Sequence, residues 1–274
     1  MIFDIIYLQL SSLFVVKPFF NSKYISLQWS KFLSNYFNCK LYIIDNGNKK
    51  YKGNEQIFFL SNHRSEADFF IDYITTYKIQ QISKIGVFFL MPINSLLASN
   101  DIIFFNRSIG RDKIMDLILS KWHEKKNLNI YPEGHRNLDS KPLKLKEGFI
   151  ELAYNNNIPV QINITSNKEH IICLKLFKTN KNISLYTSYS PLINPDDYNT
   201  YEAFLKKINK EWNKSWNEAY NHKRYNKRLY NKTKFKNINK SNNFDINFTY
   251  IIVSFVVFIL TILVIKYIFY YIFF

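Results

Sequence analysis

The sequence predicts an α/β fold with a mainly parallel central sheet flanked by helices, plus a C-terminal transmembrane helix. Three observations carry this. Through the middle of the chain short apolar runs alternate with helical stretches, the pattern of strand and crossover helix. The most apolar stretch is confined to the C-terminus and comes after a basic run. The 274 residues are 47% hydrophobic and 18% aromatic, which excludes a disordered chain and supplies enough apolar surface for a sizeable core.

In chain order, residues 1–37 read as an N-terminal membrane-associated helical region. Residues 5–16 are apolar apart from Gln9, Ser11 and Ser12, and Asp4 and Lys17 bracket them. The stretch is too short to span comfortably; it suits an interfacial helix or an amphipathic core helix. Residues 38–195 read as the α/β domain. Within it, residues 41–44 and 57–60 are strands around the turn-rich Asp45-Asn-Gly-Asn48, and 66–77 is a helix. Residues 101–105 form a strand, 112–125 an amphipathic helix, 128–131 a buried strand and 146–155 a helix. Residues 160–164, 171–176 and 183–188 complete the strands. Residues 196–247 read as a peripheral helix (198–220) and a basic juxtamembrane linker. Residues 248–274 read as the transmembrane anchor: 248–265 carry no charge and would extend about 27 Å as a helix.

Charge distribution narrows the partners. The formal net charge is +16, and residues 206–240 hold twelve Lys/Arg against Glu211 and Glu218. A basic run beside a span is a topology and lipid-surface signal, placing the main domain on the cytoplasmic side. Membrane lipids are therefore the expected partners. No nucleic-acid-binding pattern accompanies the charge, and no obligate protein partner is indicated. Two cysteines, Cys39 and Cys173, with no CxxC, point to neither a disulfide framework nor a structural zinc site.

The polar residues that carry chemistry fall at the ends of the apolar runs. Residues 62–68 read Asn-His-Arg-Ser-Glu-Ala-Asp. His63 and Asp68 are five apart, about 140° on a continuous helix, so they meet only if His63 sits in the turn before the helix. Asp68 also completes a Ser-x-x-acid helix start, so on this pattern alone it serves equally as a capping acid. Further along, a strand ends at Asn106-Arg107, and another ends in Tyr131-Pro-Glu-Gly-His-Arg136. Leu145-Lys-Glu-Gly148 opens a helix and Ile158-Pro-Val160 opens a strand. Polar groups at the same ends of parallel strands converge on one crevice, where open α/β sheets bind ligands.

In order and spacing these motifs resemble the 1-acylglycerol-3-phosphate acyltransferase family, which also embraces glycerol-3-phosphate and lysophospholipid acyltransferases. Asn62, His63 and Asp68 match its Asn-His-x4-Asp motif, and Phe104-Phe-Asn-Arg107 its second. Tyr131-Pro-Glu-Gly-His-Arg-Asn137 with Leu145-Lys-Glu-Gly148 matches its third, and Ile158-Pro-Val160 its fourth. The resemblance spans roughly residues 40–190. There are two departures: His135 replaces a small Thr, and the second proline after the fourth motif is absent from Gln161-Ile-Asn163. The form Asn-His-Arg-Ser-x-x-Asp-Phe is also similar to members that acylate other lysophospholipids, including those related to cardiolipin.

The resemblance implies a membrane-bound enzyme moving a fatty acyl group from acyl-CoA, a co-substrate, to a lysophospholipid, with no bound cofactor or metal. A hydroxyl is a poor nucleophile at neutral pH and a thioester is already activated, so the missing element is a positioned base, a task suited to imidazole. His63 is the expected base and Asp68 its orienting acid. Asn62, Arg107, Glu133, Gly134, Arg136 and Lys146 are the expected substrate-binding residues. The arginines and Lys146 suit a phosphate, while Glu133 suits a glycerol hydroxyl or the orientation of an Arg. The acceptor this implies first is 1-acyl-glycerol-3-phosphate, and the host membrane the endoplasmic reticulum or another internal membrane. A rival from another class is a metal-dependent hydrolase using His63, Asp68, Glu133 and His135, although no pair has a tight ligand spacing.

Overall fold

The computed structural model describes Asp4 and residues 25–90, 101–122, 126–176 and 178–230. The expected helix at 5–16, the rest of the basic linker and the apolar span at 248–265 lie outside the described residues. Among the described residues no helix is long and apolar enough to cross a membrane.

The elements run α1 (Ile25–Tyr36), β1 (Lys40–Ile44), β2 (Phe58–Ser61), α2 (Asp68–Thr75), β3 (Ile79–Lys84) and α3 (Ile85–Leu90). Next come β4 (Ile102–Phe105), α4 (Arg111–Lys121), β5 (Asn127–Ile130), α5 (Gly148–Asn155) and β6 (Val160–Ser166). The chain continues with β7 (Ile172–Cys173), β8 (Lys178–Thr179), β9 (Ser184–Tyr189), α6 (Tyr201–Tyr220) and β10 (Lys227–Leu229). Eight strands form one sheet in the order β10-β1-β9-β6-β2-β5-β3-β4. Its half from β6 to β4 is parallel throughout, while β6 with β9 and β1 with β10 pair antiparallel. The mainly parallel sheet is as expected. The strands β1 and β2, adjacent in sequence, are separated by β9 and β6.

The strand β2 shows why the sheet lies between two helical layers. All four of its residues are buried, and they alternate between faces. Phe58 and Leu60 join the cluster beneath α4, α5 and α6; Phe59 joins Ile57, Tyr73 and Ile79 on the side of α2. On that second face α1 packs against α2 through Trp29, Leu33, Phe70, Ile71 and Ile74.

Three expectations need correction. The helix taken as peripheral is part of the core: Phe204, Ile208, Trp212, Trp216 and Ala219 make one buried stripe along α6. Residues 171–176, expected as a strand, form only the two-residue β7 and a 3-10 turn at Leu174–Leu176, outside the main sheet. Their apolar start has a different cause, because Ile171 and Ile172 are buried in the cluster of α1 and α2. Finally, the sequence reading has no counterpart for β3, an interior strand between β5 and β4. Its Gln80 and Gln81 are buried, and Gln81 Nε2 donates to the Phe69 carbonyl at 2.9 Å. Its polarity hides it from a search for apolar runs.

Candidate active site

The adjacent parallel strands β6, β2 and β5 end on one edge of the sheet, and the turns leaving those three ends build the site. After β2 the chain turns through residues 62–67 before α2 begins at Asp68, so His63 lies in the turn and Asp68 in the first helical position. His63 Nδ1 is 2.6 Å from Asp68 Oδ2. The carboxylate oxygen also accepts the backbone N–H groups of Arg64 at 2.6 Å and Ser65 at 3.1 Å. Asp68 is thus both the anchor of the turn before α2 and the histidine's partner. Its side chain is 3% exposed whereas that of His63 is 26% exposed, so the imidazole can meet a substrate and the carboxylate behind it cannot.

Backbone contacts fix His63 from both sides. Its N–H donates to Glu133 Oε1 at 2.9 Å, and its carbonyl accepts the N–H of Asn137 at 2.8 Å. Its ring stacks on Tyr131 with centroids 4.6 Å apart and planes 24° apart. Tyr131 in turn donates its hydroxyl to Asp72 Oδ2 at 2.8 Å. Residues 131–137, just after β5, therefore support the turn after β2.

Beneath the pair lies a lysine from the turn after β6. Lys168 Nζ is fully buried, 3.0 Å from Asp72 Oδ1 and 3.3 Å from Asp68 Oδ1, and it donates to the Asn62 carbonyl at 2.7 Å. Burial alone would push the Asp68 carboxyl up; the Lys168 ammonium and the His63 imidazole outweigh it and hold it below its ordinary value. For Asp72 burial wins, despite Lys168, and with Asp68 nearby its carboxyl rises to about 6. Burial, then Asp72 and Asp68, push the Tyr131 phenol well above its usual range. An ionised Asp68 can only accept, so Nδ1 carries the imidazole proton and Nε2 is left with the lone pair.

The expected substrate residues divide. Asn62 is buried, and its side chain is spent on the backbone of Thr165 in β6, accepting N–H and donating to C=O at 3.0 Å each. Glu133 is buried and raised above its ordinary pKa by that burial, and it holds His63 rather than lying open to the crevice. Gly134 adopts φ +74°, and Lys146 lies against it, its Cε 2.7 Å from where a Cβ would sit. Arg136 is half-exposed and ion-paired to Glu66. The backbone of Arg107 comes after β4, the sheet's edge, roughly 14 Å from β2 at the usual strand spacing. The structure thus gathers His63, Asp68, Glu133, Gly134, Arg136 and Lys146 near one turn, with Arg107 set apart. Among the described residues no group of three or more His, Cys, Asp or Glu is assembled for a metal ion, and His135 is exposed. His63, Asp68, Glu133 and His135 do not form such a group.

The sequence reading missed Arg64, Asp72, Lys168 and Glu169. Arg64 is buried; its guanidinium makes two bonds to Glu169, at 2.6 and 3.1 Å, and donates to the carbonyls of Leu138 and Asp139 at 3.3 and 2.7 Å. It also lies over the rings of Trp216 and Tyr220 of α6. Asp72 carried a signal, being one helical turn after Asp68. Lys168 and Glu169 carried none.

Residues 42–162 match the Acyltransferase family model, a span containing all four motifs, and bear out the resemblance drawn from them. The fold is similar to that of the solved 1-acyl-sn-glycerophosphate (LPA) acyltransferase of Thermotoga maritima. That likeness has a TM-score of 0.60 over 78% of this chain and 90% of the other, at 14% identity. No curated protein matches the sequence.

Proposed function

We propose that the acyltransferase domain at residues 42–162 transfers a fatty acyl group from acyl-CoA to the free hydroxyl of a lysophospholipid, with 1-acyl-glycerol-3-phosphate the first candidate acceptor. The observation that carries this reading is the 2.6 Å contact between a partly exposed His63 and a sealed Asp68. His63 Nε2 takes the hydroxyl proton as the oxygen attacks the thioester carbonyl. The C–S bond then breaks, and the imidazolium returns the proton to the departing thiolate. Asp68 holds the tautomer and favours the imidazolium. Direct transfer of this kind needs no acyl-enzyme.

Arg136 and Lys146, on the open side of the turn after β5, are the cations suited to an acceptor phosphate. The apolar stretch at 248–265 and the basic run before it support a membrane anchor with the domain on the cytoplasmic face. The test is acyl transfer by membranes carrying the full chain, from radiolabelled acyl-CoA to a panel of lysophospholipids and glycerol 3-phosphate. Transfer to lysophosphatidic acid supports the reading as stated. Transfer to another lysophospholipid, the acceptor class of members to which the Asn-His-Arg-Ser form of the first motif is also similar, keeps the reaction and changes the acceptor. Transfer to none sinks it.

A further inference from the structure

We propose that Lys168 is a positioning residue of the site, its buried ammonium fixing Asp68 as the ionised partner of His63 and tying Asp72 to the same charge. This rests on the acyl-transfer reading and adds to it a residue beyond the 42–162 span of the family match. The physical problem that Lys168 answers is one of buried charge. Asp68 and Asp72 lie one turn apart on α2, and both are buried. Two adjacent carboxylates in a dry site cannot both stay ionised without a cation. Lys168 Nζ is the ammonium in contact with both, at 3.3 and 3.0 Å.

The lysine is held in place by its own surroundings. It opens a 3-10 turn, Lys168–His170, entered through Asn167 in the left-handed conformation at φ 67°. Its Nζ donates to the Asn62 carbonyl at 2.7 Å, and its own carbonyl accepts the Ser65 hydroxyl at 3.0 Å. The next residue, Glu169, grips Arg64. The turn after β6 thus holds the chain on both sides of His63. The charged and titratable groups around the lysine are Asp68 and Asp72 of α2, His63 in the turn and Tyr131 after β5, whose ring centroid is 5.9 Å away. Glu133 acts at one remove through His63 N–H, Tyr189 of β9 is influenced by Asp72, and Tyr220 of α6 by Asp68.

Electrostatics fixes the sign of the effect. Without the ammonium, the negative charge of the carboxylates beside the imidazole is uncompensated, so the pair protonates at higher pH. Without the Asp72 charge, Lys168 serves Asp68 alone and the pair protonates at lower pH. Lys168→Met and Asp72→Asn should therefore move the acidic limb of kcat/KM in opposite directions, each by about half a pH unit or more. Lys168→Met should lower kcat about tenfold or more while KM changes less than about threefold. A lysine that merely supports the fold gives no such opposed pair.

The experiment is the pH–rate profile of full-length wild type, Lys168→Met and Asp72→Asn in membranes. It is paired with the His63 titration followed by NMR on 13C-histidine-labelled, detergent-solubilised protein and assigned with His63→Ala. The expected result is opposed shifts in both. Absence of a shift, or shifts of the same sign, overturns the proposal. If Lys168→Met does not fold, the Asp72→Asn shift alone decides: downward supports the proposal, and none or upward overturns it. If wild type transfers no acyl group, the functional reading fails, while the NMR titration still tests the lysine.

Discussion

Asp68 Oδ2 receives the imidazole of His63 at 2.6 Å and, on the same oxygen, the backbone N–H groups of Arg64 and Ser65. Of the two roles open on the sequence pattern, helix capping and histidine orientation, the carboxylate takes the second, and the N–H groups it accepts belong to the turn before α2. The backbone donors fix the carboxylate, and the carboxylate fixes the ring.

Asp68→Asn keeps the shape and removes the charge, and its amide would present the wrong group to Nδ1 or to the backbone donors. We expect kcat to fall roughly 10²–10⁴-fold, as removal of an orienting acid does, with little change in KM. Steady-state acyl transfer checks this; an unchanged kcat would remove Asp68 from the mechanism.

Arg136 already has an anionic partner in Glu66, so an incoming phosphate exchanges one anion for another. Arg136→Ala should raise KM for a phosphate-bearing acceptor about tenfold and leave KM for acyl-CoA within about twofold. Kinetics with each substrate varied in turn distinguish the two, and an effect on acyl-CoA alone would reassign the residue.

Gly134 needs its φ of +74°, and a Cβ there meets the Lys146 side chain. Lys146 can swing aside, but the backbone strain remains. Gly134→Ala should destabilise the chain by about 1 kcal/mol and lower kcat/KM by moving both Lys146 and the turn that carries Glu133. Thermal unfolding and kinetics measure the two effects; wild-type values in both would show that the turn tolerates an L-residue.

Arg64 and Glu169 form an ion pair whose side chains are 2% and 10% exposed. Removing one partner leaves the other charge buried, so Arg64→Leu should cost about 3–5 kcal/mol of stability. Arg64→Leu combined with Glu169→Leu should recover part of it. A double-mutant cycle on unfolding midpoints checks the coupling, and additive losses would mean that the pair is not energetically linked.

Much of the fold and site was legible in the chain. The strands at 41–44 and 57–60 announce themselves as apolar runs, and those at 128–131 and 160–164 by apolar residues at alternate positions, with Asn129, Gln161 and Asn163 buried between them. The turn with His63 and Asp68 is legible because its motif sets His and Asp at a fixed spacing. The strand β3 was not, since its buried glutamines satisfy themselves by tertiary hydrogen bonds no local pattern reveals. Lys168 and Glu169 were not either, because a support that reaches the site from β6, about a hundred residues after His63, leaves no periodic trace. In a sequence rich in lysine, only the burial of one of them singles it out.

The most direct test of the account is acyl transfer to a lysophospholipid by membranes carrying His63→Ala beside wild type at matched protein levels. The expected result is measurable transfer by wild type and a loss of about a thousandfold or more in the variant, with the variant still folded. Equal activity in the two would contradict His63 as the base.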